Sequence, residues 1–158
     1  MALAGFGEAW IFVDPAAPTQ PGGGGASLSV YRGRPPEPGQ AAPPLESALD
    51  ALLAAGLLDP TLVPRGAARP AGLGGRPALE RDYGDRRAAE GATPGSEDAS
   101  STGRISPERR VLIRVALDDS GAIRGIAFEA EAAAWATWAP LRASLMDSFD
   151  PWSRGRAP

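Results

Sequence analysis

The side chains with the capacity for chemistry cluster in the last third of the sequence. Asp118 and Asp119 stand side by side ahead of Ser120 and Gly121, and Glu129 and Glu131 follow two residues apart. Paired carboxylates can act as general acid and base, or hold a hard cation such as magnesium or calcium. The first pair equally has the composition of a tight turn, in which Asp accepts backbone N–H bonds and Gly takes positive φ. Adjacent side chains diverge, and the spacing matches no calcium loop. Glu129 and Glu131 suit the start of a helix, where their charge complements the helix dipole. Glu108, Arg109 and Arg110 read as solvated charges at a strand entrance.

The second constellation is aromatic. Trp135, Trp138, Leu141, Leu145 and Phe149 recur at helical spacing, and Trp152 follows three residues later. Such a stripe is the core face of a helix, or in part an exposed anchor for a partner, since Trp is favoured at binding hot spots. Trp135, Trp138, Phe149 and Trp152 are therefore the candidate partner-binding residues. For Trp152 the expectation leans towards the anchor, because the tail after it is too polar to cover an indole.

Residue types exclude much else. The chain has no His and no Cys, its 16 basic residues are all Arg, and it has no Asn. Zinc sites built on His or Cys, Cys-ligated iron–sulfur clusters, disulfides and Ser-His-Asp or Cys-His nucleophiles all lack an essential atom. A phosphate loop lacks its lysine and a Schiff-base enzyme its amine. Gly22 to Gly25 is followed by neither a lysine nor a helix, so it reads as a loop. No metal and no cofactor is expected. Codon usage in a GC-rich genome accounts for the missing types without reference to function.

The elements that must position these residues read as follows. Residues 8 to 14 and 26 to 32 are strand-like, the second alternating Leu28 and Val30 with Ser27, Ser29 and Tyr31, and together they suit a hairpin. Leu45, Leu49, Leu52 and Leu53 share one face of a helix that Pro44 can start and Gly56 can end. Val111, Ile113, Val115 and Leu117 share one face of a strand, and Asp118 to Gly121 turns it into a return strand over Ala122 to Phe128. A helix is expected from Ala130 to Phe149. Pro140 must kink it or start a second helix there.

Between these parts, residues 64 to 104 hold Arg, Gly, Pro, Ala, Ser and acids. So little large apolar area predicts a poorly ordered, irregular linker. The chain contains 20 Gly and 17 Pro among 158 residues, about twice average usage. The fold expected is α+β: two β-hairpins and two main helices around a long Pro/Gly/Arg-rich excursion. Its parts are a hairpin and Leu-rich helix over 1–63, the linker 64–104, a hairpin and Trp-rich helix over 105–152, and a tail 153–158. Whether the two ordered parts share one sheet is left open.

The segment Arg110 to Trp138, a strand, an Asp-x-x-Gly turn, a strand and a helix, resembles the opening of the C-terminal domains of TonB-type energy transducers. It covers under a fifth of the chain. The strand that this family would place after the helix has no counterpart in the short polar stretch from Pro151 to Pro158, so the resemblance assigns no family.

Net charge is −3 and no basic face stands out, which argues against nucleic acid as a partner. No apolar run reaches the roughly 18 residues of a membrane span, and no secretory leader is visible, which points to the cytoplasm. The functional expectation is a non-catalytic binding, adaptor or assembly protein acting through protein–protein contacts. The alternatives are an obligate subunit of a larger complex, and a small enzyme using Asp118, Asp119, Glu129 and Glu131 with or without a hard metal ion.

Overall fold

The computed structural model describes residues 6–13, 25–54, 59–85 and 108–152. Runs of β-branched and aromatic residues form strands, as their fit to a pleated surface dictates. These are β1 (Phe6–Val13), β2 (Ala26–Gly33), β3 (Leu62–Pro64), β4 (Arg69–Leu73), β5 (Arg76–Asp85), β6 (Arg109–Leu117) and β7 (Ile123–Glu131). They join one sheet in the order β1-β2-β7-β6-β5-β3, with β4 also paired to β5 and every pairing antiparallel. The fold is α+β. Because β2 pairs with β7 from Ala26↔Ala130 to Arg32↔Arg124, the parts before and after the expected linker share a single sheet.

Both anticipated hairpins, β1–β2 and β6–β7, are present. A third, β4–β5, lies inside the stretch expected to be poorly ordered. That expectation is corrected for residues 64 to 85, which are strand over most of their length; residues 86 to 107 lie outside the described residues. The β4–β5 turn is Gly74–Gly75, with φ of 55° and 77°, the left-handed pair that a two-residue hairpin turn requires. Strand β5 is poor in apolar residues, but its buried and half-buried charges are paired. Glu80, Asp82 and Arg81 each meet an opposite charge on a neighbouring element.

Helix α1 (Leu45–Ala54) begins where Pro44 accepts the first helical hydrogen bond, from the Ala48 amide at 3.1 Å. It lays Leu49 and Leu52, both fully buried, over β5 and β6. That face of the sheet holds Tyr31, Tyr83, Val111, Ile113, Val115 and Ala127, the odd-numbered side of β6 expected from alternation. The proposed cap at Gly56 falls outside the described residues.

The expected helix from Ala130 is corrected. Strand β7 runs on to Glu131, so Ala130 and Glu131 are strand residues. A 3₁₀ turn (Ala132–Ala134) follows, and helix α2 (Ala139–Ser148) starts with Pro140 in its first turn. Pro140 thus begins a second helix instead of kinking one, because its missing N–H costs nothing there. Helix α2 covers the opposite face of the sheet, where Leu73, Ala78, Leu112, Ala116, Ile126, Phe128 and Met146 are packed.

Candidate functional site

Trp135, Trp138, Phe149 and Trp152 all pack against the α2-side core, at different depths. Trp135 is 7% exposed and meets Phe128 edge-on at 6.0 Å. Trp138 lies 6.4 Å from the same ring and is half-buried, as are Phe149 and Trp152. Trp152 folds back from Pro151. Its indole N–H donates to the Gly74 carbonyl at 2.9 Å and the Leu73 carbonyl at 3.3 Å, under the Arg76 guanidinium at 4.7 Å. Among the described residues Leu141, 47% exposed, is the exposed large apolar side chain. It sits between Trp138 and Leu145 along one flank of α2.

Guanidinium groups surround this aromatic centre. Arg110 of β6 and Arg142 of α2 hold their charged planes 4.7 and 4.0 Å from the Trp135 ring, within cation–π range. Arg142 Nη1 also donates to the Trp135 carbonyl at 2.9 Å. Deeper in, Arg114 donates Nε and Nη2 to Glu80 Oε2 at 3.0 and 2.7 Å. Its Nη1 reaches the carbonyls of Gly72 and Met146 and the Asp147 carboxylate. Arg69 donates Nε and Nη2 to the other oxygen of Glu80, and Arg110 pairs with Asp82 at 3.0 Å. The Arg114 contact with Met146 places a cation at the end of α2, where the helix dipole favours it. One side chain thereby ties β4, β5 and α2 to β6.

Three of the four candidate carboxylates, Asp118, Asp119 and Glu129, are held in ion pairs with arginines. Asp118 Oδ1 accepts the amides of Ser120 and Ala122 and the Ser120 hydroxyl, and Oδ2 accepts from Arg124. Partial burial opposes its charge, but these bonds outweigh burial and hold the carboxyl below its usual range. Asp119 accepts two bonds of 2.8 Å from Arg76, which lowers its pKa too. Glu129 pairs with Arg109, which also bonds Asp59 and Asp85. A general acid or base works best with a pKa near the operating pH, and the shifts at Asp118 and Asp119 run the other way. The two candidate pairs also stand at opposite ends of β7, roughly 30 Å apart at about 3.3 Å per residue, so they do not converge. Among the described residues no group of acids is arranged to hold a metal ion, and no helix is long and apolar enough to cross a membrane.

No protein-family model matches the chain, and no curated protein matches it in sequence. Among solved structures it is similar to PA94 of Pseudomonas aeruginosa, a protein of unknown function suggested to be a regulator. The superposition has a TM-score of 0.57 at 16% identity and covers 91% of this chain and 83% of that one. At that identity the likeness concerns the fold alone.

Sequence reasoning missed Glu80, Asp82, Arg110, Arg114 and Arg142 as one cluster, since they lie on three elements, β5, β6 and α2, and the two on β5 fall in the stretch read as linker. A signal was available. Gly74–Gly75 between Leu73 and Arg76 is a two-residue hairpin pattern, and Ala78, Glu80 and Asp82 alternate on one strand face.

Proposed function

We propose that the protein is a non-catalytic binding or adaptor protein, acting through protein–protein contacts made by the outer flank of α2. The observation that carries this reading is the exposed Leu141 between half-buried Trp138 and Leu145, an aromatic and aliphatic row of the kind that anchors a partner. Of the four aromatic candidates, Trp138 is the one in this row. Phe149 and Trp152 border the patch with part of their surface free, and Trp135 supports it from beneath. The locked carboxylates weigh against the enzyme alternative. The same proposal puts the protein in the cytoplasm and gives it a protein, not a nucleic acid, as partner.

The test is a photo-crosslinking residue placed at position 141 in the native host, with the product identified by mass spectrometry. The expected result is one dominant adduct that Trp138→Ala diminishes and that a crosslinker at exposed Glu46 of α1 does not form. Equal, diffuse labelling at both positions would remove the basis for the binding reading. An isolated chain that fails to melt cooperatively, together with a specific adduct, would instead favour the obligate subunit.

A further inference from the structure

We propose that Arg142, with Arg69 and Arg110 beside it, is a binding site for a carboxylate group. Every other arginine of the described residues that is buried or half-buried has an acidic partner: Arg76, Arg81, Arg109, Arg110, Arg114 and Arg124 all form ion pairs. Arg142 forms none with the described residues. Its single hydrogen bond there runs from Nη1 to the Trp135 carbonyl, which leaves Nε and Nη2 as donors without an acceptor. Arg110, although paired with Asp82, also has one donor to spare, its Nε being buried without a hydrogen-bond partner. A half-buried guanidinium lacking a counter-ion loses part of its hydration, and the Trp135 face offsets some of that cost without occupying the in-plane N–H groups.

The surroundings define the ligand. Burial lowers the Arg142 pKa most, with Arg110 and Arg69 adding to it while Asp82 and Glu80 act the other way. Among the described residues around this centre, Arg69, Arg110, Arg114 and Arg142 face Glu80, Asp82 and Asp147. Four cations against three anions leave one positive charge, which a singly charged oxyanion neutralises. A carboxylate is such an anion, and its two oxygens match two parallel guanidinium N–H bonds. Phosphate near neutrality carries more charge than the cluster lacks. The site is open on one side, since Arg69 is largely exposed. In the binding reading above, the carboxylate belongs to a partner, either an acidic side chain or a chain terminus.

The test is a titration of the full chain followed by the ¹⁵N-resolved signals of arginine Nε–H and tryptophan Nε1–H groups, at constant ionic strength with chloride as the balancing ion. Acetate should move the Arg142 Nε–H and Trp135 indole signals saturably, with half-saturation in the millimolar range, and leave Trp152 in place. Arg142→Gln should abolish the response, and Arg69→Gln, at an exposed position, should weaken it several-fold with the fold intact. A non-saturating acetate response, one unchanged in both variants, or saturation by phosphate alone would overturn the proposal. Two peptides distinguish the sources: one with glutamates and an amidated end, the other without acids and with a free C-terminus. Because acetate needs no partner protein, the carboxylate site can stand or fall separately from the adaptor reading.

Discussion

The indole of Trp152 donates to the carbonyl of Gly74 across 78 residues of sequence, at 2.9 Å. This contact fastens the end of the described chain to the β4–β5 turn. Arg76 lies over the indole while pairing with Asp119, so the β6–β7 turn is tied to the same point.

Gly74 is required there twice over, by its φ of 55° and because a Cβ would fall 2.3 Å from the indole nitrogen. Gly74→Ala should destabilise the protein by about 2 kcal/mol or more, combining backbone strain with displacement of the ring. Trp152→Ala should cost about 2–3 kcal/mol, less than a fully buried aromatic because the ring is half-exposed. In the Trp152→Ala background the Gly74 substitution should cost only its backbone share. Urea unfolding of the four proteins checks this, and strictly additive losses would refute the contact.

The buried pair Glu80–Arg114, with residues 6% and 8% exposed, makes a second test. Glu80→Leu leaves a buried guanidinium poorly compensated and should cost about 3–5 kcal/mol. The double variant Glu80→Leu, Arg114→Met should lose at least about 1 kcal/mol less than the sum of the two singles, since neither charge then remains stranded. Chemical denaturation of the cycle measures the coupling.

Asp59 provides a pH signature. Hydrogen bonds from the Thr61 side chain and amide, and then from Arg109, lower its pKa to about 2. Its stabilising effect is therefore complete above an unfolded value of about 3.9 and is lost as pH falls through 2. With its side chain a third exposed, solvent screening reduces the contribution to about 1 kcal/mol. Asp59→Asn should accordingly flatten the stability profile between pH 5 and pH 2 by that amount. A variant profile parallel to the wild type would contradict the assignment.

Two leucines of similar helical setting should respond in opposite ways. Leu52→Ala removes a fully buried side chain between α1 and the sheet and should cost about 2–5 kcal/mol. Leu141→Ala, on the open flank of α2, should change stability by less than about 0.5 kcal/mol. Thermal melts of both variants decide the matter, and a large loss at Leu141 would mean that this side chain serves the fold and not a partner.

Periodicity alone determined the parts of this protein whose neighbours in sequence are also their neighbours in space. The Leu45 to Leu53 face, the β6–β7 hairpin with its Asp118 to Gly121 turn, the β1–β2 pairing and an interruption at Pro140 all follow from local spacing and turn chemistry, which act over a few residues. The tertiary structure alone decided that Arg76 to Asp85 lies in the interior of the sheet, between β6 and the strands β3 and β4, and that Glu129 and Glu131 belong to a strand. It also decided that Trp152 turns inward to Gly74. In each case the stabilising partner is remote. Glu80 is poor strand material until the buried Arg114 neutralises it, and Trp152 has nothing to pack on until β4 and β5 form their turn. A charge reads as solvent-seeking when its counter-charge lies more than 30 residues away, as Arg114 does from Glu80, and only folding brings the two within hydrogen-bond distance.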